Sequence, residues 1–174
     1  MARLPDLAAD SPGIDRELLQ RVLHRRGGHL LKLDKQLLHS PSVADGWNTY
    51  MGAIRGHMQL HGGLRELVIL LVAVLNRAPY EFAQHAPIAL AEAVSQAQID
   101  AVGTWRESTR FDTRERDVLA YAEAMTLAVQ VPQPVFDAVR SHFSDRELVE
   151  LTATVASYNM VSRFLEALQI KIEA

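Results

Sequence analysis

The sequence predicts an all-α protein, on three observations. Apolar residues recur at i, i+3, i+4 and i+7 along most of the chain, the signature of amphipathic helices. Helix start signals, Ser-Pro pairs and Ser-x-x-Glu/Gln boxes, stand ahead of those stretches. No stretch shows sustained period-2 alternation bounded by turns, which is what half-buried strands would require. About eight to ten helices are expected from this pattern.

Residues 1–12 read as an extended arm, with Pro5, Pro12 and little periodicity, and residues 13–174 as a single helical domain. Ser11-Pro12 is the expected start of the first helix, whose stripe is Leu18, Leu19, Val22 and Leu23 and whose stop is Gly27-Gly28. A short helix is expected from His29 to His39. Ser40-Pro41 opens a longer one reaching about Gln59, with Val43, Trp47, Tyr50, Met51 and Ile54 on one face. Gly62-Gly63 is expected to end it.

The stretch from Leu64 to Ala93 differs from the rest. Leu67 to Leu75 is apolar on every face, so a helix there is buried all round. Asn76 to Pro79 breaks it, and a second helix begins with Tyr80, Glu81, Phe82 and His85, reaching about Val94. Ser95-Gln96-Ala97-Gln98 is a capping box for a brief helix. A polar loop with Trp105 leads to a helix from Asp117 to Gln130 bearing Val118, Leu119, Tyr121, Ala122, Met125 and Val129. Pro132 and Pro134 set a turn before a helix from Val135 to Phe143. Ser144-Asp145-Arg146-Glu147 caps the last element, with a kink expected near Ser157-Tyr158-Asn159. Arg65-Glu66-Leu67-Val68 recurs as Arg146-Glu147-Leu148-Val149, which points to an internal pseudo-repeat. Its chemistry is not repeated, since Ser162 and Glu166 stand opposite Glu81 and His85.

Composition bounds the function. The 174 residues can bury a sizeable core, and 48% hydrophobic with 22% charged residues is ordinary for a globular chain. A formal charge of -3, with scattered Lys and Arg, predicts no nucleic-acid partner. No apolar run reaches the roughly 20 residues that span a bilayer, and the N-terminus lacks a signal-peptide core, so no membrane association and a cytoplasmic location are expected. There is no cysteine, hence no disulfide, thiolate ligand or thiol nucleophile.

Glu66, Glu81 and His85 lie on or beside the most apolar segment. Burying such groups is costly unless they are paired, which marks the three as the candidate catalytic cluster. Glu81 and His85 are four apart, with Cβ atoms about 5–6 Å apart on one helix face. A carboxylate beside an imidazole raises its proton affinity and orients the ring. Glu66 either complements the helix dipole in its first turn or, if the two helices form an antiparallel hairpin, reaches His85 directly or through water. Tyr80, Trp47, Tyr50 and Arg65 are candidate substrate-binding residues: Tyr80 as a hydrogen-bond donor, the two aromatics as lining, Arg65 as an anion clamp. His57 and His61 have metal-compatible spacing but no further ligand signature, so no metal site is expected.

The segment RELVILLVAVLNRAPYEFAQH resembles the carboxymuconolactone decarboxylase and alkylhydroperoxidase D-like superfamily, and DRELVELTATVASYNMVSRFLEAL resembles its C-terminal helix pair. The resemblance runs from about His29 to the C-terminus. It implies an all-helical domain assembling into trimers or hexamers, with an active site at the Glu66 and His85 positions. In the peroxidase branch a Cys-x-x-Cys pair precedes the histidine, and Ala78 and Glu81 occupy those positions here. Thiol peroxidase chemistry therefore has no nucleophile. The expected function is a cofactor-free lyase or isomerase acting on a small carboxylated or lactone substrate, with His85 as base or acid, Glu81 as its proton relay and Glu66 as orienting group. Two alternatives stay open: a catalytically silent binding or assembly protein, and a thiol-free peroxidase using a metal or flavin, for which no glycine-rich phosphate loop is present.

Overall fold

The computed structural model describes residues 2–173, and its described residues form nine α-helices, one 3-10 turn and no strand. They divide into two compact units, one of residues 2–57 with 165–173, the other Met58–Phe164.

The first unit is built on α1 (Arg16–Arg25), α2 (Lys32–Leu37) and α3 (Pro41–Gly56). The helix start expected at Ser11-Pro12 falls elsewhere. Asp15 is the cap, its carboxylate accepting from Leu18 N–H at 3.0 Å. Ser11 instead closes a turn with Ala8. Aspartate satisfies an orphan N–H as well as serine does, and Asp15 lies nearer the apolar stripe. At the other end Gly27 and Gly28 both have positive φ, and Gly28 N–H reaches back to Leu23 C=O at 2.8 Å, the closure expected of glycine past a helix end. In α3 the buried face is Ala44, Trp47, Met51 and Ile54. Val43 and Tyr50, expected on that face, are 49% and 45% exposed. The stripe is set by spacings of three, four and three, which exclude both. The helix ends at Gly56, short of Gln59. The arm is tied down, with Arg3 N–H bonded to Leu168 C=O at 2.9 Å and Gln36 to the Asp6 carboxylate at 2.6 Å.

The second unit surrounds α4 (Gly62–Leu75), which packs against α5 (Pro79–Ala91) and against α7 (Thr113–Leu127). Leu67 through Ala73 are at most 1% exposed, but the run expected to be buried all round opens at its end, where Val74 is 37% exposed. Gly62-Gly63 opens this helix rather than ending α3. The reason is His61, whose Nδ1 accepts from Gly63 N–H at 3.2 Å and supplies the N-cap. The turn between α4 and α5 closes with Ala78 N–H to Ala73 C=O at 2.8 Å, with Arg77 at φ 54 where a glycine is more usual. Pro79 then sits at the first position of α5, where its missing N–H removes nothing.

The capping box at Ser95 starts α6 (Gln96–Ala101), and Asp112 with Glu115 starts α7 four residues earlier than expected. Val129, expected on the buried face of α7, is 80% exposed beyond its end. α8 (Gln133–Arg140) precedes α9 (Asp145–Leu168), whose start carries the Ser144–Glu147 box. α9 runs on through the expected kink at Ser157-Tyr158-Asn159 as one helix. The repeated Arg-Glu-Leu-Val therefore marks two helix starts with different sequels. The positions matching Asn76–Pro79 are Ser157–Met160, which hold no proline, so no hairpin forms there.

Candidate active site

The α4–α5 hairpin places the first turn of α4 beside the middle of α5. The approach is close at Gly62, where a side-chain carbon would overlap the Glu92 carboxylate at the end of α5. Antiparallel packing at this range brings Glu66 and His85 together. Glu66 is fully buried, and its Oε2 lies 2.6 Å from His85 Nδ1. The other oxygen, Oε1, accepts from Arg65 Nε at 3.1 Å, and Arg65 extends a second arm to Glu92 at 3.2 Å. A line of alternating charge thus runs from the half-exposed Glu92 through Arg65 to the buried Glu66 and on to His85.

Burial by itself would raise the proton affinity of Glu66. The His85 hydrogen bond and charge, aided by Arg65, outweigh it and hold the carboxyl below the usual carboxylate range. Glu66 is then an anion at neutral pH, so Nδ1 of His85 donates the proton in the 2.6 Å bond. That fixes the tautomer and leaves Nε2 as the nitrogen able to accept or return a proton. The Tyr158 ring stands edge-on to the imidazole, 4.9 Å between centroids at 87°, and restrains its tilt.

Glu81, one turn before His85 and 1% exposed, lies under a different hydroxyl: Ser162 Oγ on α9 donates to Glu81 Oε2 at 2.9 Å. All three expected catalytic residues are therefore buried in one unit, and the carboxylate on His85 Nδ1 is Glu66. Tyr80 is buried in the same unit. Arg65 is committed to two carboxylates, which suits it to fixing Glu66 more than to clamping substrate. Trp47 belongs to the core of the first unit, and Tyr50 is largely exposed there. His57 caps the end of α3 and His61 the start of α4. Among the described residues no three His, Asp or Glu side chains gather in a metal-binding group.

Sequence reasoning passed over Tyr158 and Glu92, and named Ser162 only as a counterpart of Glu81. The signal for Ser162 and Tyr158 was their place on the buried stripe of α9, at helical spacing with Leu151, Val155 and Leu165. For Glu92 it was an acid at the end of α5 facing two glycines that open α4.

Residues 41–124 match the carboxymuconolactone decarboxylase family. An uncharacterised protein of Escherichia coli K12, YnjA, is 39% identical over 80 residues, which is 44% of this chain and 42% of that protein's length. The fold matches a peroxidase-related protein of Silicibacter sp. TM1040 (TM-score 0.84, 20% identity, 99% of this chain and 92% of that one). It also matches the alkylhydroperoxidase AhpD core protein of Ralstonia eutropha JMP134 (0.85, 20%, 99% and 92%). A third match is the debrominase Bmp8, in a variant with one cysteine replaced by alanine and in complex with 2,3,4-tribromopyrrole (0.80, 19%, 99% and 91%).

Proposed function

From the match of residues 41–124 to the carboxymuconolactone decarboxylase family, and from the alkylhydroperoxidase D-like fold, we propose that this chain is a cofactor-free lyase or isomerase acting on a small carboxylated or lactone compound. The observation that carries the reading is the 2.6 Å contact between His85 Nδ1 and a buried Glu66 that Arg65 helps to keep anionic. In this reading His85 Nε2 removes a proton from a carbon next to the substrate carbonyl. The electron pair passes into the carbonyl as an enolate, and the resulting imidazolium is stabilised by Glu66. Return of that proton to a more distant carbon of the conjugated system moves the double bond. In a decarboxylation, the C–C bond to the carboxylate breaks instead, its electrons enter the same sink, and protonated His85 supplies the proton to the carbanionic carbon. Glu81, under Ser162, is the second acid and the proton relay. Tyr80 is the donor to the enolate oxygen.

The names of the peroxidase-related and debrominase neighbours do not carry their chemistry across. A route through a thiolate needs a cysteine, and the chain has none. A binding protein that kept the fold is the second reading, and the 6% exposure of His85 favours it. Proton–deuteron exchange into a panel of unsaturated lactones and keto acids, followed by NMR in D2O, separates the two. Exchange that His85→Gln lowers at least 100-fold supports the enzyme, consistent with the 10²–10⁴ typical of general acid–base catalysis. Equal exchange in both proteins would sink it. The second unit also leaves Leu127, Val129 and Val149 exposed at 62%, 80% and 67%, which supports self-association into a trimer or hexamer. Light scattering that returns the monomer mass would remove that part.

A further inference from the structure

The first unit contains a pocket of about 480 Å³ that the acid–base reading does not use. It opens where α1 and α3 end, and half of its lining is basic: Arg25, Arg26, His29 and Arg55, with no acidic residue among them. Leu31 and Met51 give it an apolar wall, and Gly52 and Gly56, one turn apart on α3, leave its floor without side chains. The volume lies inside the range of small-molecule sites, roughly 300–1,000 Å³.

Helix ends attract cations, so the arginines need a reason beyond that. Each helix C-terminus carries about half a negative charge, two ends together about one. Asp34, buried behind Arg26 at 2.9 Å and Arg25 at 3.7 Å, adds one more. Three guanidinium groups exceed this by about one positive charge. The groups also differ in their commitments. Arg26 is held by Asp34, and Arg25 Nε is bonded to Asn48, which fixes both side chains. Arg55 makes no ion pair or side-chain hydrogen bond among the described residues, and its neighbour Gly56 has open space around it. Two guanidinium groups placed by the buried Asp34 and by Asn48, with a third left uncommitted, suit a planar or tetrahedral oxyanion bound by paired N–H donors.

We propose that this pocket binds the oxyanion of a small organic acid, a carboxylate or phosphate monoester whose apolar body lies against Leu31 and Met51. The site stands on the first unit alone and is independent of the Glu66–His85 chemistry. Benzoate and phenyl phosphate share one apolar ring and differ in the anionic head, so titrating each by calorimetry at low ionic strength distinguishes the two sources. One equivalent of saturable binding is expected for at least one of them. Arg55→Gln should weaken it about tenfold. Gly52→Leu should abolish it, because a side chain there fills the floor while its Cβ makes only an ordinary 3.6 Å contact with Arg25. Circular dichroism and melting of both variants establish that they are folded. No saturable binding by either probe overturns the proposal. So does binding that survives both variants, or binding that His85→Gln removes and Arg55→Gln leaves intact.

Discussion

Glu66 is the residue on which the site's electrostatics turn. Its carboxyl is held below its ordinary range in the folded protein, while the unfolded chain returns it to about 4.3. Between those two values the unfolded state binds more protons, so stability falls as the solution is acidified through that window. The contribution is fully present above the unfolded value and is lost as pH falls through the folded one. Glu66→Gln removes this titration and leaves Arg65 and His85 without their shared anion. The expected result at pH 7 is a loss of about 3 kcal/mol, as for breaking a buried pair. The acid limb of the variant, followed by urea melts from pH 7 to pH 3, should be shallower than that of the parent. An equal slope would show that another carboxylate carries the acid sensitivity.

At the level of elements, the α4–α5 hairpin holds the site through one close approach. Gly62 is there because Glu92 occupies the space a side chain would take. The carboxylate is the end of a flexible side chain, so Gly62→Ala should push it off Arg65 without unfolding the helix. A cost of about 1 kcal/mol is expected, the loss of a half-exposed ion pair together with local strain. In a Glu92→Ala background the same change meets no obstacle, and the better helix former should stabilise by up to about 1 kcal/mol. The double-mutant cycle, read from denaturant midpoints, is therefore strongly non-additive. Additive effects would place the constraint at Gly62 somewhere other than Glu92. This coupling was legible in part. In sequence the glycine pair marks the end of α3, because Gly-Gly more often stops a helix than starts one, and a histidine cap is not among the usual start signals.

On the scale of the whole molecule, α4 is the centre of the second unit. Leu70 has 0% exposure and lies in an unbroken apolar run. Leu70→Ala should cost about 3 kcal/mol, the transfer of the lost methyl groups plus the cavity left behind. Trp105, buried in the second unit with its indole N–H on Glu123 at 3.0 Å, reports this directly. In a Trp47→Phe background its fluorescence midpoint in denaturant should fall accordingly. An unchanged midpoint would mean that α4 does not organise this unit. None of the described helices is long and apolar enough to cross a membrane, and the apolar run of α4 is spent on this core instead.

Periodicity, capping boxes and the absence of cysteine set the helical class, most element positions and the exclusion of thiol chemistry, because each is a local property of the chain. Glu66, Glu81 and His85 were identifiable for the same reason: ionisable groups on an apolar segment need partners, wherever those partners lie. Which partner each one takes was decided by tertiary packing. Spacing along α5 favoured Glu81 as the acid on His85, yet the hairpin brings Glu66 to Nδ1 and α9 brings Ser162 to Glu81. The turn at Asn76 to Pro79 left contact between Glu66 and His85 open as one of two readings, whereas the 81 residues between Glu81 and Ser162 leave no trace in local sequence. Hydrogen bonds are short-ranged and directional, so only the angle and distance between packed helices select among the candidates.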